Sequence, residues 1–276
     1  MSFKDTIDQA FSTLTRAGMG SAKSAVILGT GLGQLLEEIE IIKIVEYSSI
    51  PGFKMPTVVS HEGKMVLGNL DSHPILALDG RLHYYEGFSM KDITFPLYVL
   101  KKLGIKRLFV SNAAGNLNPA WNKGDIMMVE DHINLLPENP LRGENDHDVG
   151  PRWPDMFEPY DSDLRAAINQ AASGIDLTLR KGVYVAVQGP NLETRAEYSM
   201  LRNMGADAVG MSTVPEVIVA NYLGLPVCAL SVLTDDCDPT RLAPVNIKEI
   251  MAIAAKAEGD LTSLLKQAIA GISRHD

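Results

Sequence analysis

The chain has 276 residues, of which 46% are hydrophobic and 21% are charged, and its formal net charge at pH 7 is −9. This composition is typical of a globular protein, and the acidic excess argues against DNA or RNA as the main partner. No apolar run is long enough to span a bilayer and the first residues carry no apolar signal core, so we expect a cytoplasmic protein. Two cysteines are too few for a disulfide framework or a zinc site.

Short apolar runs alternate with helical patterns, which predicts a single α/β domain over residues 1–276. The predicted strands cover residues 25–28, 64–68, 74–78, 107–111, 126–130, 183–187, 207–210 and 227–233. The predicted helices cover residues 4–18, 91–103, 162–173, 193–204, 215–223 and 247–271. Ser89 with Asp92 resembles a capping box, and Asn246 is a candidate N-cap.

The segment 136–160 differs from the rest of the chain, because it is rich in proline and charge and has no periodicity. A loop of that length in a compact domain is usually functional or lies at an interface.

The first predicted strand runs into a glycine-rich turn, GTGLGQ, at residues 29–34. A dinucleotide fingerprint has the spacing G-x-G-x-x-G, and Gln34 stands where its third glycine belongs, which disfavours that function. A turn that only needs a positive φ is a second explanation. We favour a turn that binds one phosphate, in which backbone N–H groups face the anion and the Thr30 hydroxyl adds a donor.

The segment DGRLHYYEG, residues 79–87, supplies further donors for an anion. Arg81, His83 and Tyr85 alternate, so in an extended segment their side chains share one face. An arginine can hold two phosphate oxygens at once, and Glu86 could fix the ring of His83 or raise its basicity. A polar surface strand would give the same pattern.

Three other segments offer candidate contacts. VSHEG, residues 59–63, places His61 on a loop, and VSNAAGNLNP, residues 110–119, contains small residues that let the backbone approach a ligand. VGMSTVPE, residues 209–216, ends a strand with Met211 and Ser212 before Pro215 begins a helix. A plain strand-to-helix turn and a helix cap would explain the last two segments equally well.

Eight motifs occur in one order along the chain: GTGLG, HEG, GRLHYYEG, SNAAGNLNP, GDIMMVEDHINL, NPLRG, QGPNLETRAE and GADAVGMSTVPEVIVA. This series resembles the trimeric purine nucleoside phosphorylase family from about residue 20 to residue 270. The resemblance implies the nucleoside phosphorylase fold, which is one α/β domain with a twisted mixed β-sheet flanked by helices, assembled as a homotrimer. It also implies that phosphate attacks C1′ of a purine nucleoside, giving free base and ribose 1-phosphate. Inorganic phosphate is then a co-substrate, and no cofactor or metal is implied.

The resemblance also assigns roles to individual residues. The implied phosphate contacts are Thr30, His61, Arg81, His83, the Ala113 backbone and Ser212. The implied ribose contacts are Tyr85 and Met211, and the implied base pocket consists of Ala114, Gly115, Leu192, Glu193, Val209 and Asp235. The implied catalytic residues are His83, Glu193 and Asp235. Trp153 matches an aromatic residue that the family places against a neighbouring subunit's nucleoside, so the long loop would complete that site.

Two positions depart from the family's 6-oxopurine enzymes. Asp235 stands where they carry Asn, and an ionised Asp only accepts hydrogen bonds whereas Asn also donates. Ile247 stands where they carry a His that meets the ribose 5′-hydroxyl. Both changes resemble the methylthioadenosine phosphorylases, whereas Glu193 matches the 6-oxopurine enzymes. The sequence therefore does not decide which purine base the protein prefers.

We therefore expect a purine nucleoside phosphorylase acting on inosine and guanosine. Adenosine or 5′-methylthioadenosine are the alternative substrates. A nucleoside-binding protein without catalysis is disfavoured, because such a protein needs no phosphate-binding side chains beside a purine pocket.

Overall fold

A mixed β-sheet forms the centre of the protein. The computed structural model describes residues 2–29, 33–58 and 60–273, and in that part of the chain nine strands form one sheet. The strands are β1 (Ser24–Leu28), β2 (Glu40–Glu46), β3 (Lys64–Leu70), β4 (His73–Asp79), β5 (Arg107–Asn116), β6 (Ile126–Asn134), β7 (Leu179–Ala186), β8 (Ala208–Gly210) and β9 (Val227–Asp236). Their order is β2-β3-β4-β1-β5-β8-β7-β6-β9, and β5 also pairs with β9. The last five strands in that order therefore close into a ring.

Six α-helices flank the sheet within the described residues. They are α1 (Phe3–Arg16), α2 (Met90–Lys102), α3 (Ser162–Gly174), α4 (Arg195–Asn203), α5 (Val214–Tyr222) and α6 (Ile247–Ser273). The predicted capping box of Ser89 and Asp92 is present at the start of α2. Asn246 also caps as predicted, since its Oδ1 accepts from the backbone nitrogen of Lys248 at 3.0 Å. Among these helices none is long and apolar enough to cross a membrane.

Two apolar layers cover the two faces of the sheet. One layer packs α1, α2 and α5 against the sheet, and the other packs α3 and α6 against the opposite face. The central strand β1, with the sequence SAVIL, is buried at every position, because both of its faces are covered. The predicted fold class, an α/β domain with a mixed sheet flanked by helices, is confirmed.

One strand was absent from the sequence predictions. β2 lies at the edge of the sheet and pairs antiparallel with β3. Its sequence EIIKIVE lacks the alternation of a half-buried strand, and Ile41, Ile42 and Ile44 are exposed. An edge strand with little burial therefore leaves no periodic signal in the sequence.

The expected extended segment at residues 81–85 is also wrong in part. Tyr84–Glu86 forms a turn of 3-10 helix, which follows His83. Arg81, His83 and Tyr85 nevertheless line one cavity, so the turn brings together the side chains that alternation was expected to align.

The strands β5 and β9 extend further than predicted, and their extra residues are functional candidates. A bulge between Ala114 and Gly115 shifts the register of β5 against β9, so that Gly115 pairs with Asp235. Gly115 also pairs with Val209 of β8. The backbone of β5 is thus held on both sides where it reaches the candidate site.

Candidate active site

A cavity of about 190 Å³ opens at the carboxyl ends of β5, β8 and β9. Twelve residues of the predicted site line it: Arg81, His83, Tyr85, Ala113, Ala114, Gly115, Leu192, Glu193, Val209, Met211, Ser212 and Asp235. Seven lining residues were not predicted: Gly29, Asn112, Tyr198, Gly210, Thr234, Cys237 and Ile250. β5 and β9 run parallel, so their carboxyl ends meet at this cavity.

Two predicted site residues, His61 and Trp153, do not line this cavity. Thr30 lies outside the described residues, so its predicted phosphate contact stays a prediction. His61 is buried behind the cavity wall, with its ring centroid 5.2 Å from that of His83. Trp153 is 86% exposed and borders a separate cavity beside Arg152 and His132. Ile247 is also exposed, and Ile250, one turn later in α6, reaches the candidate site instead.

The Arg81 guanidinium is fixed inside the protein. Its Nη1 donates to Ser212 Oγ at 3.2 Å and to Thr213 Oγ1 at 3.1 Å. Nη2 donates to the backbone oxygens of Ser111 and Ile27. The Arg81 side chain is 4% exposed and lies 3.6 Å from a carboxylate oxygen of Glu216, which is 2% exposed. A buried cation held in this way is oriented before any anion arrives.

The His83 ring is oriented by Glu86. Its Nδ1 lies 2.8 Å from Glu86 Oε1, and the His83 backbone nitrogen donates to the same oxygen at 2.8 Å. Burial disfavours the charged form of Glu86, but hydrogen bonds from His83 and Thr57 outweigh it and lower the Glu86 pKa to about 2. An ionised Glu86 only accepts, so the proton between the two groups belongs on Nδ1. That leaves Nε2 of His83 as the nitrogen available to a ligand.

His61 supports the Arg81 backbone. Its Nδ1 lies 3.1 Å from the Arg81 backbone nitrogen and 2.9 Å from the Arg81 carbonyl oxygen. Burial lowers the pKa of His61 to about 4, so the ring is neutral at pH 7. His61 thus packs beside Arg81 and His83 without lining the cavity, and its predicted phosphate contact stays a prediction.

The opposite end of the cavity contains two carboxyl groups. Burial raises the pKa of Glu193, and the charges of Glu197 and Asp235 act in the same direction. Asp235 Oδ1 accepts from Thr234 Oγ1 at 3.0 Å, and Oδ2 accepts from Cys237 Sγ at 3.3 Å. Both Asp235 oxygens thus have a protein donor.

Two glycines allow the backbone to close around the cavity. A Cβ on Gly29 would lie 2.6 Å from the Ser111 carbonyl oxygen. A Cβ on Gly115 would lie 2.4 Å from Cys237 Sγ. Contacts this short do not occur in real proteins, so Gly29, which meets fixed backbone, requires glycine, whereas a side chain at Gly115 would have to displace the Cys237 sulfur.

Comparisons with known proteins agree with this geometry. The family model of the phosphorylase superfamily matches residues 23–270. Purine nucleoside phosphorylase 1 of Bacillus subtilis is 43% identical over 267 residues, which cover 97% of this chain and 98% of the relative. The purine nucleoside phosphorylase of Bos taurus is 42% identical over 90% of this chain and 88% of its own.

Solved structures give the same result. The Schistosoma mansoni purine nucleoside phosphorylase in complex with adenosine has a TM-score of 0.89 and 35% identity, and the match covers 96% of each chain. A schistosome purine nucleoside phosphorylase in complex with hypoxanthine matches with the same TM-score and identity. The chain therefore belongs to the phosphorylase superfamily. Within it, the chain belongs with the purine nucleoside phosphorylases, and the predicted resemblance is confirmed.

Proposed function

We propose that this protein cleaves the N-glycosidic bond of purine nucleosides with inorganic phosphate, giving free base and ribose 1-phosphate. One observation carries the proposal: a fixed buried guanidinium and two carboxyl groups line the same cavity. The guanidinium suits phosphate, and the carboxyl groups suit the hydrogen-bonding edge of a purine. Full-length relatives named purine nucleoside phosphorylase support the same reaction.

At the phosphate end, Arg81, Ser212, His83 and the Ala113 backbone bind the anion. Arg81 and Ser212 are already in contact, so one phosphate oxygen can meet both groups. His83 presents Nε2, because Glu86 fixes its other nitrogen. Phosphate is the nucleophile, so the chain needs no nucleophilic side chain of its own. Tyr85, stacked on the His83 ring with centroids 4.7 Å apart, and Met211 then border the ribose between the two ends.

At the base end, Glu193 and Asp235 stabilise the departing purine. The bond from C1′ breaks with an oxocarbenium-like ribose, so negative charge builds up on the base. As the bond from C1′ to the base breaks, a proton from solvent water reaches N7 of the leaving purine, and Asp235 accepts a hydrogen bond from that N7–H. An ionised Glu193 accepts from N1–H of a 6-oxopurine. Ala114, Gly115, Leu192 and Val209 surround the ring system. Inosine and guanosine are the proposed substrates.

Adenosine is the second candidate substrate. Burial raises the pKa of Glu193, which increases the fraction that is protonated and able to donate to N1 of adenine. Asp235 then accepts from the 6-amino group. One matching solved structure contains adenosine and another contains hypoxanthine. The apolar Ile250 at the cavity, and the exposed Ile247 before it, leave 5′-methylthioadenosine as an alternative.

We also propose a cytoplasmic homotrimer of single-domain subunits that uses no cofactor. Trp153 and Phe157 are 86% and 92% exposed on one long loop. Large aromatic side chains that are this exposed and close together are typical of an interaction surface. In the proposed trimer, Trp153 lies against the nucleoside of the neighbouring subunit.

The test is base release from inosine, guanosine, adenosine and 5′-methylthioadenosine, each with and without phosphate. We expect release of hypoxanthine and guanine only when phosphate is present. The Arg81→Gln variant should abolish release, whereas Arg241→Gln, at an exposed arginine, serves as the matched control. Absence of phosphate-dependent release from every nucleoside would contradict the proposed function.

A further inference from the structure

The glycine-rich turn at residues 29–34 follows β1, and the structure describes its two ends, Gly29 and residues 33–34. Gly29 lines the cavity, and its backbone nitrogen donates to Ser111 Oγ at 3.2 Å. The backbone oxygen of Ser111 accepts from the Arg81 guanidinium. The start of the turn is therefore connected through β5 to the phosphate end of the cavity.

The other end of the turn is held by a carboxyl group from a distant part of the chain. Gln34 begins a short 3-10 helix, Gln34–Glu38, and its N-cap Gly33 offers no side chain to accept from the first backbone nitrogens. Glu258 of α6 supplies an acceptor, since its Oε1 accepts from the Gln34 backbone nitrogen. The last helix thus fixes the point at which the chain leaves the turn.

Glu258 differs from an ordinary surface carboxylate because it is only 4% exposed. Its neighbours Ala257 and Leu261 belong to the apolar layer that α6 packs against the sheet. Gln34 itself is exposed, so water could satisfy its backbone nitrogen without the cost of burying a carboxyl group. Burial raises the pKa of Glu258 to about 7, and the hydrogen bond from Gln34 opposes that rise. In either protonation state, one carboxyl oxygen can accept from Gln34.

We propose that Glu258 is a positioning residue for phosphate, and that it acts by holding the glycine-rich turn at Gln34. The turn GTGLGQ contains three glycines, and a glycine backbone loses more conformational freedom on ordering than any other. A turn that is already held at both ends loses less of that freedom when an anion binds. The inference rests on the proposed phosphorolysis and on the predicted binding of phosphate by this turn.

The test measures the KM for phosphate and the KM for inosine in variants of Glu258. Glu258→Leu fills the same space but cannot accept a hydrogen bond. It should raise the KM for phosphate about fivefold, the effect of one lost hydrogen bond. The KM for inosine and kcat at saturating phosphate should change by less than about twofold. Calorimetric titration with inorganic phosphate should show a similar fivefold rise in Kd without any turnover.

Two matched variants separate positioning from packing. Glu258→Gln keeps an oxygen that can accept from Gln34, so it should retain the KM for phosphate of the unmodified protein. Lys266→Ala removes a second contact between α6 and the same 3-10 helix, in which Lys266 Nζ lies 2.8 Å from Glu38 Oε2. This variant should change the KM for phosphate by less than about twofold, because the pair lies at the surface.

An unchanged KM for phosphate in Glu258→Leu would overturn the inference. A rise in Glu258→Gln as large as that in Glu258→Leu would overturn it as well, since the accepting oxygen would then have no role. Equal rises in the KM for phosphate and for inosine would indicate a packing role alone and would also overturn it. Phosphate-dependent base release by the unmodified protein is measured first. Its absence would contradict the proposed function itself, so the two failures are distinguishable.

Discussion

The two ends of the cavity are built on different principles. At the phosphate end, a cation is buried against Glu216 and held by hydroxyl and backbone oxygens from three segments of the chain. At the base end, two carboxyl groups lie near each other, with donors from a hydroxyl and a thiol. The phosphate end is fixed by strong charge pairing, whereas small changes in hydrogen bonding can alter the base end. We expect substitutions at the phosphate end to abolish the reaction and those at the base end to redirect it.

The largest expected effect is at Arg81. Arg81→Met should lower kcat/KM by more than about a thousandfold and destabilise the fold by roughly 3–5 kcal/mol, because it leaves Glu216 buried without its cation. The double variant Arg81→Met with Glu216→Gln should regain stability without regaining activity. Steady-state kinetics and urea unfolding measure the two effects. Loss of both properties in the double variant would contradict the assignment of phosphate binding to Arg81, since misfolding would explain the inactivity.

The next effect is at Glu193. Glu193→Ala removes the acceptor for N1–H and should lower kcat/KM for inosine by about a hundredfold, while the KM for phosphate stays constant. The exposed Glu197, which caps α4 in the same segment, provides a control through Glu197→Gln. Inosine turnover by Glu193→Ala within a few fold of the unmodified protein would place base recognition elsewhere and weaken the contrast between the two ends.

His61 gives a pH-dependent effect beside the phosphate end. Its folded-state pKa of about 4 lies below the ordinary 6.5, so the unfolded chain binds the proton more tightly. Stability from the neutral ring is complete above about pH 6.5 and is lost as the pH falls toward 4. We expect the free energy of unfolding to fall by about 2 kcal/mol between pH 7 and pH 5 from this group. Urea unfolding at both pH values measures this difference in the free energy of unfolding. The contribution of about 2 kcal/mol should be absent from His61→Gln. His147→Gln, at an exposed histidine, is the control and should retain it.

The smallest expected effect is at the start of α6. Ile250 lines the cavity and Ile247 does not, so Ile250→Ala should raise the KM for nucleosides about fivefold, whereas Ile247→Ala should change it by less than about twofold. The reverse order would mean that α6 lies closer to the cavity when substrate is bound.

All six predicted base-pocket residues line the cavity, whereas among the predicted phosphate contacts His61 does not line it and Thr30 lies outside the described residues. Arg81 and His83 belong to one short motif, and Met211 with Ser212 belongs to another, so local patterns were sufficient to propose them. Tyr198 and Cys237 also line the cavity, and they were missed because only the fold brings them there. A tyrosine in a helix and a cysteine after a strand carry no signal of their own.

The fold also divides into elements that local patterns predict and elements that they do not. All eight predicted strands and all six predicted helices are present, because runs of buried apolar residues and amphipathic periodicity both arise from packing against the core. The edge strand β2 was missed since its isoleucines are exposed, and the turn at Tyr84–Glu86 was missed since three residues form no period. Neither error changed the predicted fold class, since both elements lie outside the pattern that defines the core.

The bulge between Ala114 and Gly115 restricts how base preference can diverge among descendants of this chain. Successive strand residues face opposite sides, so an insertion or deletion next to the bulge would turn Asp235 or its partner away from the cavity. Pairing of Gly115 with β8 as well as β9 further opposes such a shift. We therefore expect base preference at this site to change through exchange of side chains at fixed positions, with the spacing of the strands retained.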